Sequence, residues 1–163
     1  MIYSPLSPVF DNNSRILILG SYPSEKSRAA KFYYAHPKNR FWSVLSNLIG
    51  VNFCEMNPKQ KTDALLQHYV ALSDVVYGCD ILSSSDASIK NVVPSNVTEI
   101  IKNSKVTHIF LNGKTAYKFF LKYFPEYQKM ATCLPSTSPA NAAKSLDKLL
   151  SDWSVIKESL SLD

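Results

Sequence analysis

The 163-residue chain is short of several things, and each shortage excludes a class of protein. No apolar run approaches the ~20 residues a membrane-spanning helix needs, and no secretory leader is expected at the start. The three histidines (His36, His68 and His108) are scattered, with no carboxylate or thiol at ligand spacing, so no metal centre is expected. The four glycines nowhere take the spacing of a P-loop, and no cofactor is expected. Cys54, Cys79 and Cys133 form no C-x-x-C pair and suit a reducing, cytoplasmic setting, each as a small buried residue. No internal repeat, low-complexity tract or charge block marks a linker, so residues 1–163 read as one domain, expected to be monomeric.

What is present is a core. Hydrophobic residues make up 45% of the chain and aromatics 12%, which argues against disorder and suffices for a packed interior. Eighteen Lys and Arg against thirteen Asp and Glu leave a net charge of +5, compatible with a polyanionic partner without requiring one.

Four aliphatic segments read as strands: 15–19, 69–73, 107–111 and 130–134. Near-continuous apolar strands point to a parallel sheet covered on both faces. Helical patterns lie between them at 39–48, with Phe41, Leu45 and Leu48 on one face, and at 57–67. Others open at Pro94 and run from Lys114 to Tyr123. Pro139 opens a long final helix carrying Leu146, Leu149, Leu150, Trp153 and Ile156. Alternation of strand and helix predicts an α/β domain with right-handed crossovers.

In an open parallel sheet, ligands bind beyond the carboxyl ends of the strands. Those ends hold Gly20 to Ser24, Ser73 to Val76, Asn112 with Gly113, and Leu134 to Asn141. They contain one carboxylate (Asp74), several hydroxyls, two amides and no histidine. Neither a Ser-His-Asp triad nor a glycosidase carboxylate pair is supported, so any reaction leans on oriented dipoles.

Two segments exceed the needs of a connector. Residues 31–42 place three consecutive aromatics (Phe32, Tyr33, Tyr34) beside a basic stretch at a helix start. Aromatic faces next to Lys and Arg suit a flipped or single-stranded base, while Phe32, Tyr33, Phe41 and Trp42 equally suit a core and Asn39 an N-cap. Residues 134–141 place hydroxyls before Pro139, a pattern that offers free amides to a phosphate or simply caps a helix at Ser138.

Together with Gly20-Ser21-Tyr22-Pro23, Asp74-Val75-Val76 and Leu111-Asn112-Gly113, these segments resemble the uracil-DNA glycosylase superfamily. The sequence is most similar to its hypoxanthine-DNA (deoxyinosine) glycosylase branch, from about Arg15 to Trp153. The resemblance implies a three-layer α/β/α sandwich around a four-stranded parallel sheet. It also implies a DNA-repair enzyme that hydrolyses N-glycosidic bonds of deaminated bases in DNA, leaving abasic sites. Mismatch-specific uracil enzymes carry a catalytic Asn where this chain has Tyr22, and an Asn or His where it has Ser136. In the hypoxanthine branch Asn39 takes over as the key catalytic residue, and Tyr34 matches the base-stacking aromatic. Asp74 falls where pyrimidine-specific relatives place a base-reading Asn, and Asn112 matches a residue the branch shares.

The resulting candidates are Asn39, Asp74 and Asn112 for catalysis, and Tyr34, Tyr22, Ser21 and Gly20 for the base. Lys38, Arg40, Ser136, Thr137, Ser138 and Asn141 are candidates for DNA. Arg40 reads either as a phosphate clamp or as half of a helix-stabilising ion pair. In a mechanism from these groups, Asp74 or the DNA phosphates stabilise a cationic sugar, and backbone amides with Asn39 or Asn112 stabilise the departing base. Competing readings are a uracil-DNA glycosylase, a catalytically silent nucleic-acid-binding module and a small-molecule nucleoside hydrolase.

Overall fold

The computed structural model describes residues 1–82 and 88–161. The strands are β1 (Ile2–Tyr3), β2 (Ile16–Gly20), β3 (Val70–Asp74), β4 (Val76–Asp80), β5 (Lys90–Pro94), β6 (His108–Asn112) and β7 (Ala131–Leu134). The helices are α1 (Glu25–Ala30), α2 (Phe41–Ile49), α3 (Pro58–Gln67), α4 (Val97–Lys102), α5 (Lys114–Tyr123), α6 (Leu146–Trp153) and α7 (Val155–Ser159). No helix among the described residues is long and apolar enough to cross a membrane.

The central sheet has the order β3-β2-β6-β7, all parallel. Alternate residues of a strand face opposite sides, and the two cores follow that alternation. Ile16, Ile18, Val70, Leu72 and Phe110 pack with Phe41, Leu45, Leu65 and Trp153 on one face. Leu17, Leu19, Ala71, Ile109 and Leu111 pack with Val97, Ile100, Ala116 and Phe120 on the other. This is the expected three-layer α/β/α arrangement.

The expected strands lie within a residue of those found. Gly20, Asp74 and Asn112 are turn formers by type, yet each still pairs in the ladder, so the strands run one residue further. The chain leaves β2 towards β3 on one side and β6 towards β7 on the other. The crevice between the ends of β2 and β6 is therefore the topological switch point.

Three expectations need correction. A second, antiparallel sheet of order β1-β4-β5 follows directly on Asp74, where a turn was expected. Gly78 makes its packing possible, because a Cβ there would lie 2.5 Å from the Tyr3 ring. The long final helix is instead a 3-10 turn at Pro139–Asn141 followed by α6 and α7. The Arg40 guanidinium donates to the Asn141 and Lys144 carbonyls, which a continuous helix would need for its own amides, and Ser145 caps a fresh start at Leu146. Finally, Cys79 is buried, but Cys54 and Cys133 are exposed, one in a surface turn and one on the edge strand β7.

Candidate active site

A cleft of about 290 Å³ opens at the switch point. Its walls include Gly20, Ser21 and Tyr22 from the end of β2, Asp74 from β3, Asn112 from β6, and residues 136–140 beyond β7. Tyr34, His36 and Asn39 close it from the segment before α2. The candidates for base and chemistry thus share one space, although they are spread over most of the chain.

Of the three consecutive aromatics, Tyr33 and Tyr34 both line this cleft. Tyr33 is buried, donating from its hydroxyl to the Ser7 carbonyl, while its own carbonyl accepts from the Trp42 indole. Phe32 stacks on Trp42. Tyr34 has a positive φ of 52° and stacks on Phe41 with centroids 4.0 Å apart. A left-handed backbone at a tyrosine costs of order 1–3 kcal/mol and persists only where its surroundings fix it, a pattern that clusters at functional sites.

The Tyr34 hydroxyl is buried without a hydrogen-bond partner. Burial, reinforced by the Asp74 carboxylate, raises its pKa far above the usual phenol range, and Asn112 acts weakly the other way. The phenol is therefore a neutral donor held over the cleft floor.

Gly20 leaves the room for this. A Cβ at that position would lie 2.5 Å from Asp74 Oδ1 and 3.0 Å from the Tyr34 hydroxyl. Gly20→Ala is expected to destabilise the fold by about 1–3 kcal/mol through overpacking, read as a lower thermal midpoint. An unchanged midpoint would mean that Asp74 and Tyr34 do not converge over this glycine.

Asn39 lines the cleft but is not the N-cap of α2, a position held by Arg40. Its Oδ1 accepts from the Phe41 N–H at 2.9 Å, across Arg40 at the start of α2, and from the Thr137 hydroxyl at 2.9 Å. With the oxygen so engaged, the NH2 group remains for the cleft. Asn112 spends itself on Thr137, donating to its hydroxyl and accepting from its N–H, both at 3.0 Å.

Several expectations change at the other positions. Thr137 is fully buried, so it does not present a contact to a DNA backbone. Most N–H groups of the segment after β7 are already engaged. The Thr137, Ser138, Ala140 and Asn141 N–H groups go to Asn112, the Ser136 and Ser138 hydroxyls, and the Ser138 carbonyl. Short hydroxyl side chains fold the segment onto itself. The Asn141 amide donates to the Ser136 carbonyl. Arg40 forms no ion pair among the described residues, and its guanidinium donates to the Asn141 and Lys144 carbonyls. Lys38 is exposed. Tyr22 turns its hydroxyl away, donating to the Ile2 carbonyl, and lends the cleft only its ring.

His36 lines the cleft but was not among the site residues expected from the sequence. Its place between Tyr34 and Asn39 was the available signal. Its Nδ1 accepts from the Lys38 N–H at 3.1 Å, so the neutral ring carries its proton on Nε2. Among the described residues, no group of three or more His, Cys, Asp and Glu is placed to hold a metal ion. The cleft thus combines an aromatic face, one carboxylate and several neutral donors.

Comparisons with known proteins agree with this geometry. The uracil DNA glycosylase superfamily matches residues 7–157. A hypoxanthine DNA glycosylase of Methanosarcina barkeri (strain Fusaro) is 33% identical over 150 residues, covering 90% of this chain and 92% of that protein. One from Methanosarcina acetivorans is 32% identical over 161 residues, covering 96% and 98%. A solution NMR structure of a candidate uracil DNA glycosylase from Methanosarcina acetivorans superposes with a TM-score of 0.83 at 30% identity, covering 99% of each chain. The parallel sheet, the cleft at its switch point and these matches have one explanation: the chain belongs to the uracil DNA glycosylase superfamily.

Proposed function

We propose that this protein is a monofunctional DNA glycosylase that hydrolyses the N-glycosidic bond of hypoxanthine in DNA and leaves an abasic site. The observation that carries the reading is the convergence of Tyr34, Asp74 and Asn39 on one cleft. The names of the two relatives from Methanosarcina support the choice of base.

Flipping a nucleotide costs a few kcal/mol, least at a mispaired or damaged base. Stacking of the flipped base on the free face of Tyr34 returns about 1–3 kcal/mol. The two nearly cancel, which favours weakened pairs such as those of hypoxanthine. Hypoxanthine presents an N–H beside a carbonyl, and Asp74 accepts the N–H. As the C1′–N bond breaks, its electron pair leaves with the base, and the Asn39 NH2 group stabilises that developing negative charge. The DNA phosphates steady the cationic sugar. Water then bonds to C1′ and releases a proton to solvent, while the expelled base is protonated in turn.

Ser136 and Ser138 line the cleft, exposed Lys38 lies between its lining residues His36 and Asn39 in the chain, and the net charge of +5 suits a polyanion. The remaining elements of the reading are one domain over residues 1–163, acting as a monomer in the cytoplasm.

The test uses oligonucleotides with a single deoxyinosine or deoxyuridine, paired and unpaired, followed by alkaline cleavage of abasic sites. Strand breaks chiefly at deoxyinosine are the expected result. Breaks chiefly at deoxyuridine would make uracil the main substrate. Binding without breaks would leave a silent DNA-binding module, and hydrolysis of free inosine alone would leave a nucleoside hydrolase.

A further inference from the structure

We infer that Thr137 is a positioning residue whose buried hydroxyl sets the Asn39 carboxamide with its NH2 group turned into the cleft. The inference rests on the proposed role of Asn39 and identifies what orients it.

The argument is one of donors and acceptors. A backbone N–H can only donate, so the atom that the Phe41 N–H meets at 2.9 Å is the carboxamide oxygen of Asn39. The orientation of this side chain is therefore fixed by chemistry, with Nδ2 on the opposite side. One such bond leaves the amide free to swing, because rotation about an sp³–sp² bond is soft. Thr137 supplies the second bond, donating its hydroxyl proton to the same oxygen at 2.9 Å.

Nothing about Thr137 alone dictates that direction. Asn112 does. It accepts from the Thr137 N–H and donates Nδ2–H to Thr137 Oγ1, each at 3.0 Å. With its oxygen already accepting, the hydroxyl proton is sent on to Asn39. The Arg40 N–H donates to the Thr137 carbonyl at 3.1 Å, which holds the start of α2 against the segment after β7. Thr137 is fully buried, so no water competes for the bond. Asn112 thus acts on the reaction through Thr137 and Asn39.

The test compares the full-length wild type with Thr137→Val, Thr137→Ser and Asn112→Asp. Valine removes the hydroxyl at nearly constant shape and serine keeps it. Aspartate still accepts from the Thr137 N–H but draws the hydroxyl proton to itself. Single-turnover excision from a deoxyinosine oligonucleotide is expected to fall about 10- to 100-fold in Thr137→Val and Asn112→Asp, the scale of a misplaced catalytic group. Oligonucleotide affinity should hold, and Thr137→Ser should retain the rate.

A second readout does not need turnover. In ¹H–¹⁵N spectra the Asn39 NH2 pair, assigned by its loss in Asn39→Ala, should shift in Thr137→Val and stay put in Thr137→Ser. A wild-type rate in Thr137→Val, an equal loss in Thr137→Ser, or an unmoved NH2 pair would each overturn the inference. Should Thr137→Val fail to fold, Asn112→Asp decides by the same criteria. Should the wild type leave deoxyinosine intact, the proposed function fails, while the NH2 pair still reports on positioning.

Discussion

Asn39→Ala is expected to slow hypoxanthine release by about 10²- to 10³-fold in a single-turnover assay, the cost of removing one donor aimed at developing charge. The loss should fall on the chemical step, with affinity for the oligonucleotide nearly unchanged, because the NH2 group meets charge that exists only as the bond breaks. Alanine also removes the acceptor for the Phe41 N–H, and a lost hydrogen bond of this kind costs about 1 kcal/mol of stability. Stability and activity are separated by Asn39→Asp. Its carboxylate still accepts from Phe41 and Thr137, so the thermal midpoint should match the wild type. It has no NH2 group and adds a negative charge beside a departing anion, so the rate should fall at least as far as in alanine. A normal rate in Asn39→Asp would confine Asn39 to holding the Phe41 N–H and the Thr137 hydroxyl and remove the proposed donor from the mechanism.

The positions that sequence reasoning read well are those where local chemistry and fold agree. The aliphatic runs of β2 and β3 became strands buried on both faces, which leaves no alternation to confuse, while the edge strand β7 is partly exposed. Asn57-Pro58 started α3 as expected, since capping is decided within four residues. What escaped notice had no such local mark. In β4 exposed Tyr77 sits beside buried Gly78 and Cys79, with no aliphatic run to announce a strand. Charged and small residues hide α1, whose start depends on the Ser24 side chain accepting from Ser27.

The site divides in the same way. Tyr34 and Asn39 stood out within a contiguous aromatic and basic segment. Thr137 was read as a DNA contact instead, because its bonds run to residues 25 and 98 positions away. The same distance hid the tie from Arg40 to Asn141 and Lys144, 101 and 104 positions on, which breaks the expected final helix. Pro139 and Ser138 carried a genuine local start signal, but the helix it promised lost its carbonyls to a guanidinium from another layer.

Asp74→Asn is expected to change which base is released. Asp74 lies at the end of β3, only 8% exposed, with its carboxylate over Gly20 and facing the cleft. A hydrogen bond to a charged group contributes about 1.5–3 kcal/mol, so losing the carboxylate should lower hypoxanthine excision about 10- to 100-fold. An asparagine can instead turn its NH2 group inward and donate to a base carbonyl, as the resemblance implies for pyrimidine-specific relatives. Uracil excision should therefore fall less, and the hypoxanthine-to-uracil ratio should drop. The assay is a pair of single-turnover rates on matched deoxyinosine and deoxyuridine oligonucleotides, with the variant compared to wild type on each. Equal losses on both bases would move Asp74 from reading the base to serving the sugar or the water, a step the two substrates share. Unchanged rates on both would leave the carboxylate a structural partner of Gly20, and recognition of the N–H edge would have to come from elsewhere in the cleft.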